Sequence, residues 1–379
     1  MVGENLTPKK RLGGPLAGIR IIEFAGIGPV PFAGMLLSDL GAEVVRIDRI
    51  GAKNDLREAV NRGRSFVQAD LKDTKSIDQI LQLCESADAI MEGFRPGVME
   101  RLGLGPETVL ARNPRLVYGR MTGWGQDGPL ANSAGHDINY IAISGALAAI
   151  GTLEAPVPPL NLVGDYGGGS LYFVMALLAG IIEARSSSQG QVVDVAMCDG
   201  AASLLSMFSS LSAIGLWREE RSSNVIDGGS HFYNVYECAD GKFISVGAIE
   251  PAFYALLKKL LGLNESEIDD QNNSSTWPAR KDRFKEIFRT RSQADWCALL
   301  EGTDACFAPV LTMSDAPKHR QYQARESFIE HNGITQPAPV PRYSRTVCRV
   351  QDPKAPNLSL ADVAARWKSR TSQRSGSRS

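Results

Sequence analysis

The stretch that decides the fold is Gly18-Ile19-Arg20-Ile21-Ile22-Glu23-Phe24, then Ala25-Gly26-Ile27-Gly28-Pro29-Val30-Pro31, and, after an apolar segment ending at Leu40, Ala42-Glu43-Val44-Val45-Arg46-Ile47-Asp48. The outer two pieces are short, apolar and rich in β-branched residues, as buried strands are, and the apolar 31–40 segment between them reads as a helix. Strand, glycine-proline loop, helix and strand make a β-α-β unit, whose two strands run parallel. Gly26, Gly28 and Asp48 stand roughly where a dinucleotide fingerprint wants them. Pro31 occupies the place of the third glycine, so close approach to a pyrophosphate is not expected and the unit records only a doubly wound fold.

The alternation continues outward. Strands are expected at 65–70, 87–92, 116–122 and 191–197, with helices at 74–86, across 97–113, at 170–185 and at 199–214. Strands alternating with helices argue for a parallel sheet covered on both faces, with ligands beyond the carboxyl ends of its strands. Arg49, Lys72, Arg95 and Arg101 fall at those ends. Each alone reads as a solvated surface residue, but together they can hold phosphates. After polar 218–224 comes a second region. Strands at 232–237 and 243–246 are joined by Asp240-Gly241, a hairpin signal, and followed by helices after Glu250-Pro251, at 278–289 and at 292–301, and by a strand at 307–310. The reading is therefore a large α/β domain over 13–217 completed by 335–360, a smaller α+β domain over 225–330, and a Ser/Arg-rich disordered tail over 361–379.

Composition agrees. A chain of 379 residues favours more than one domain. With 43% hydrophobic and 22% charged residues and a formal charge of −1, it has no field to draw in nucleic acid, so an anionic ligand must be met by local basic groups. The six cysteines include no C-x-x-C pair, which argues against zinc and against a disulfide framework and fits a reducing cytoplasm. No apolar run approaches the ~20 residues of a membrane span, the longest being 171–182. The polar start carries no signal-peptide core, and the final Ser377-Arg378-Ser379 lacks the Leu of a peroxisomal address.

Chemistry concentrates in two segments, Gly135-His136-Asp137-Ile138-Asn139-Tyr140 and Gly164-Asp165-Tyr166-Gly167-Gly168-Gly169. Each sets a titratable group beside glycine at an expected helix start, where free N–H groups can meet developing negative charge. A base, an acid and an oxyanion site can be assembled there, with the N–H groups at Asp165 as donors. The plainer reading stands beside it: Asp165 as a helix N-cap and His136 as a hydrogen-bonded helix-start histidine. Of the four histidines (136, 231, 319 and 331) only His136 has such a setting. Three glycines in a first turn disfavour a helix by about 1 kcal/mol each, which points to close approach by backbone or ligand.

Taken together with Gly14-Pro15-Leu16-Ala17-Gly18, Asp39-Leu40-Gly41-Ala42-Glu43-Val44, Gly93-Phe94-Arg95-Pro96-Gly97, Thr122-Gly123-Trp124-Gly125-Gln126, Tyr236-Glu237-Cys238-Ala239-Asp240-Gly241 and Gly247-Ala248-Ile249-Glu250-Pro251, these segments follow a known order. Over about 13–356 the chain resembles the α-methylacyl-CoA racemases, a branch of the family III CoA-transferases. The resemblance implies a Rossmann-like doubly wound large domain with an inserted smaller domain that reaches the partner's active site in an interlocked homodimer. It implies inversion of the α-carbon of 2-methyl-branched acyl-CoA thioesters by two-base proton transfer through an enolate. In that scheme His136 is the base on one face, Glu250 the carboxylate that orients it, and Asp165 the acid/base on the other face. CoA contacts are implied at Arg49, at Ala69, Asp70, Leu71 and Lys72, at Gly93, Phe94 and Arg95, at Arg101, and at Gly135, Asp137, Ile138, Asn139 and Tyr140. No metal or further cofactor is implied, CoA being part of the substrate. The alternative is a CoA-transferase in which Asp165 attacks the thioester and forms an anhydride. A nicotinamide dehydrogenase is disfavoured by the broken glycine pattern, and nothing in the sequence speaks for a CoA-binding protein without turnover.

Overall fold

The structure is a computed structural model describing residues 11–263, 270–352 and 358–375. By internal contact the chain separates into two units: 1–144, 160–204 and 323–379 in the first, and 145–159 and 205–322 in the second. The sequence places its boundaries instead at 217–225 and near 330.

The first unit is built on a six-stranded sheet. Its strands are β1 (Arg20–Phe24), β2 (Glu43–Asp48), β3 (Ser65–Gln68), β4 (Ala89–Glu92), β5 (Val117–Thr122) and β6 (Val192–Ala196), in spatial order β3-β2-β1-β4-β5-β6 and all parallel. Alternate residues feed opposite cores, as the two-residue strand period requires. Ile22, Phe24, Val45 and Ile47 pack on one face, where α2 (Thr74–Cys84) and α4 (Pro106–Arg112) lie, with the short α3 (Val98–Arg101) between them in sequence. Ile21, Val44, Ala89 and Met91 pack on the other face with α1 (Pro29–Asp39) and α6 (Tyr172–Ser187). This unit also carries α5 (Asp137–Ile143) and α7 (Met197–Leu204).

Two expectations are corrected. The helix expected from 170 starts earlier, because a ten-residue π-helical segment, Leu162–Leu171, runs directly into α6. The combined Leu162–Ser187 helix is long and apolar enough by composition to cross a membrane, but Phe173, Leu177, Ile181 and Ala184 bury their side of it in the sheet's core. The tail is not disordered from 361: Leu360–Ser375 forms a further helix, and residues 376–379 lie outside the described ones. Leu360, Val363 and Trp367 recur at helical spacing within the polar tail and are buried in the first core, and Trp367 Nε1 donates to Glu43 Oε1 at 2.9 Å.

The second unit carries a three-stranded antiparallel sheet, β7 (Tyr233–Glu237), β8 (Phe243–Gly247) and β9 (Phe307–Val310), with β8 in the middle. Its core joins α8 (Pro251–Leu261), α9 (Trp277–Phe288) and α10 (Gln293–Leu300) to one face through Tyr236, Ile244, Phe284 and Trp296. His231 is fully buried in that core beside Phe232 and Phe284, its Nε2 2.6 Å from the Tyr254 hydroxyl. Burial pushes its pKa down to about 3, so it is a neutral packing group.

Two charged residues, Arg20 and Glu23, stand in the otherwise apolar β1. Glu23 is fully buried and pairs with the equally buried Arg64, whose Nη1 lies 2.5 and 2.6 Å from its two oxygens. Arg64 Nη2 also donates to the Val60 carbonyl and to Asn61 Oδ1. Room for the pair comes from Gly34 of α1, where a β-carbon would stand 2.2 Å from Glu23 Oε2. Arg64→Met is expected to cost about 3–5 kcal/mol in guanidinium unfolding by leaving a buried charge unpaired, and adding Glu23→Leu is expected to recover most of that loss.

Candidate active site

The loops that leave β1, β4 and β5 at their carboxyl ends surround one cavity of about 360 Å³, at the point where the order of the sheet reverses between β1 and β4. The β1 loop contributes Ile27 and Gly28, the β4 loop Gly93, Phe94 and Arg95, and the β5 loop Gly123 and Trp124. Two buried groups fix the β4 turn: Glu92 accepts the Phe94 N–H at 2.7 Å and pairs with Arg120 at 3.1 Å.

His136 and Asp165 both line this cavity. His136 is the residue immediately before α5, and its extended backbone ends in an N–H that donates to Asn139 Oδ1 at 3.0 Å. Behind it, the Tyr140 ring fills the space left by Gly123 and Gly135, where β-carbons would fall 2.1 and 2.7 Å from ring atoms, and it meets Trp124 edge-on at 4.7 Å. The Tyr140 hydroxyl, pushed up to about 12 chiefly by burial, donates to the Gly135 carbonyl at 2.5 Å.

Asp165 is not an N-cap. It lies inside the π-helical segment, half-buried, with Asn161 Nδ2 donating to its Oδ2 at 3.3 Å. Its own N–H donates to Asp137 Oδ2 at 2.7 Å. That N–H is therefore engaged, which corrects the expectation that it serves as an oxyanion donor. The Asp137 N–H, by contrast, meets no acceptor among the described residues. Burial raises the Asp165 pKa and the Asp137 charge adds to the rise, while the Asn161 hydrogen bond and the His136 charge oppose it. A carboxyl raised in this way holds a proton more readily than a solvated one.

The glycine run has a backbone reason. A β-carbon at Gly168 would lie 2.5 Å from the Ala201 nitrogen, and one at Gly200 would lie 1.8 Å from the Gly168 oxygen, so the π-helical segment rests directly on α7. The notional fingerprint is spent structurally as well. Gly28 adopts φ +78° at the start of α1, where a β-carbon would meet Asp165 Oδ2 at 3.4 Å, and Asp48 is occupied by Arg46 at 3.1 Å and by Asn54 at 3.0 Å.

The residues expected around CoA divide. Gly93, Phe94, Arg95, Gly135 and Tyr140 line the cavity with the two proton-transfer candidates. Arg49 follows β2 and Lys72 follows β3, at the same carboxyl edge of the sheet but outside the cavity lining, and Arg101 folds back to 3.2 Å from where a Gly97 β-carbon would be. Among the described residues none of Arg49, Lys72, Arg95 and Arg101 has a carboxylate within 4 Å. Ala69 and Leu71 turn their side chains into the core, and Asp70 accepts the Lys72 N–H at 2.9 Å. Ile138 is exposed, Asn139 caps the His136 N–H, and Asp137 is turned inward to Asp165. Glu250 is the N-cap of α8 in the second unit, exposed, its carboxylate without a hydrogen-bond partner among the described residues. Sequence reasoning gave no role to Trp124 or Asn161. Only the first carried a signal, its place after a strand's carboxyl end.

The chain matches the family described as CoA-transferase family III over residues 16–359 and belongs to that family. It is 45% identical to alpha-methylacyl-CoA racemase of Mus musculus over 333 residues, 87% of each chain, and 42% identical to that of Homo sapiens over 86% of each chain. Succinyl-CoA:glutarate CoA-transferase of Mus musculus is 28% identical over 91% of this chain and 84% of its own. Among solved structures, the Mycobacterium tuberculosis protein Rv3272 superposes with a TM-score of 0.76 at 26% identity, covering 93% of this chain and 99% of that one. A CAIB/BAIF family protein of Brucella suis shares the fold with a TM-score of 0.78, covering 94% and 99%.

Gly168→Ala is expected to lower stability by about 1–3 kcal/mol through overpacking against α7. It is also expected to cut turnover by roughly ten-fold or more, because the displaced segment carries Asp165. Thermal unfolding and steady-state kinetics check the two together.

Proposed function

We propose that the chain inverts the α-carbon of 2-methyl-branched acyl-CoA thioesters by 1,1-proton transfer. The observation that carries this reading is that His136 and Asp165, an imidazole and a carboxyl, line the same cavity. One removes the α-proton and the other returns a proton to the opposite face. An α-proton beside a thioester is weakly acidic, and acid–base help of typically ~10²–10⁴-fold is too little alone. The enolate oxygen therefore needs a donor, and the unengaged N–H of Asp137, next in the chain to His136, is the candidate.

The cations with no carboxylate partner among the described residues at the carboxyl edge of the sheet, Arg49 and Lys72 beyond the cavity and Arg95 within it, support an extended CoA laid along that edge with its phosphates over them. Proton transfer between two side chains asks for no group beyond the substrate. The second unit is read as an inserted domain, and Glu250 as the carboxylate that orients His136 from a partner subunit. Exposed apolar residues, Leu171, Met175 and Ile182 along one helix and Met207 and Ile214 near another, support a homodimer that covers them.

The relatedness to CoA-transferases keeps one rival open, attack by the Asp165 carboxylate on the thioester. That chemistry gives His136 no evident task. In heavy water the protein is expected to place deuterium at C2 of either enantiomer of a 2-methylacyl-CoA, with no added metal or nicotinamide. Mass spectrometry that finds no deuterium at C2, together with rapid movement of CoA to a free carboxylic acid, replaces this reading with the transferase.

A further inference from the structure

We propose that Asp137 is a positioning residue, whose buried carboxylate fixes the turn carrying Asp165 against the helix start carrying His136. The inference rests on the proton-transfer reading above and assigns Asp137 a side-chain task apart from that of its N–H.

Asp137 is 7% exposed. Its Oδ2 accepts the Asp165 N–H at 2.7 Å, while its Oδ1 is buried with no partner among the described residues. No cation lies within 4 Å of it among the described residues. A buried carboxylate with one idle oxygen and no countercharge is costly to a fold, so its persistence needs a compensating task. The surroundings are shaped to admit it: a β-carbon on Gly164 would stand 2.6 Å from Oδ2. The single hydrogen bond joins residue 137 to residue 165, and those two positions carry or adjoin both proton-transfer groups. A displacement of about 1 Å in such a pair is enough to cost 10²-fold in rate.

The carboxylate also acts as a charge. The groups that bear on Asp165 are Asp137, which raises its pKa, and His136 and Asn161, which lower it, all behind the leading effect of burial. Tyr140 of α5 feels both carboxylates. Of the other elements packed on the segment, α7 carries Cys198 and Asp199, and α1 carries only Asp39, at its far end and paired with Arg62.

The test uses the full chain, with C2 exchange of each enantiomer followed against pH in Asp137→Asn, Asp137→Ala and Asp165→Ala. Asparagine keeps an acceptor for the Asp165 N–H but removes the charge. Asp137→Asn is therefore expected to lose less kcat than Asp137→Ala while the acidic limb, for the enantiomer that Asp165→Ala silences, moves to lower pH by half a unit or more. Asp137→Ala is expected to lower kcat at least ten-fold with KM within two-fold. If the alanine variant does not fold, Gly164→Ala displaces the carboxylate without altering any titratable group and is expected to give the same loss. Should Asp165→Ala silence one enantiomer while the Asp137 and Gly164 variants keep kcat and the pH limb unchanged, Asp137 has no positioning role. Should Asp165→Ala silence neither, the proton-transfer reading fails and this inference with it.

Discussion

Backbone meets backbone where the π-helical segment crosses α7, at Gly168 and Gly200, and the site depends on that contact. With a β-carbon on Gly200 falling 1.8 Å from the Gly168 oxygen, no side chain can separate the two elements. A second tie runs to α1 through Ser170, fully buried, whose hydroxyl lies 2.8 Å from the Pro29 carbonyl and 3.1 Å from that of Asp165. Two elements thus hold one short stretch, and Asp165 sits within it. π-Helical turns are uncommon and cluster at functional sites. Here the irregular winding turns a carboxylate toward the cavity from inside a helix, where the first-turn N–H groups of an ordinary N-cap would otherwise stand.

Two groups of basic residues in the first unit differ in their physics. Arg46, Arg62, Arg64 and Arg120 are buried or nearly so and each is paired with a carboxylate between 2.5 and 3.1 Å. These pairs specify where loops and strands meet more than they stabilise them, because desolvation offsets much of their attraction. Arg49, Lys72, Arg95 and Arg101 have no such partner among the described residues and sit at one edge of the sheet. A near-neutral chain cannot steer an anion from afar, so recognition of phosphates falls to cations left unneutralised at the point of contact.

The legible part of the fold is the part that repeats. Each strand of the large sheet lies within two residues of its expected start, because fully buried parallel strands read as short β-branched runs between helices. The cavity between β1 and β4 follows from strand order alone. What was not legible depends on contacts distant in sequence. A glycine run gives no sign of π-helical winding, which arises from packing on α7. Asp137 was expected among the CoA contacts from the resemblance alone, and only the folded chain shows its carboxylate turned toward residue 165. Leu360, Val363 and Trp367 were hidden by the Ser/Arg background of the tail, although their spacing alone signals a helix. Arg46 and Arg49 are three residues apart and chemically alike, and nothing local tells the structural one from the available one.

The central claim is that His136 and Asp165 serve opposite faces of one carbon. It is tested most directly by measuring C2 hydrogen exchange separately for the two enantiomers in His136→Ala and in Asp165→Ala. Loss of an acid on one face need not prevent deprotonation from the other. Racemisation is therefore predicted to vanish in both variants, while residual exchange survives from one enantiomer in the first and from the opposite enantiomer in the second. Equal residual exchange from both enantiomers in both variants would contradict the account and point to one base serving both faces.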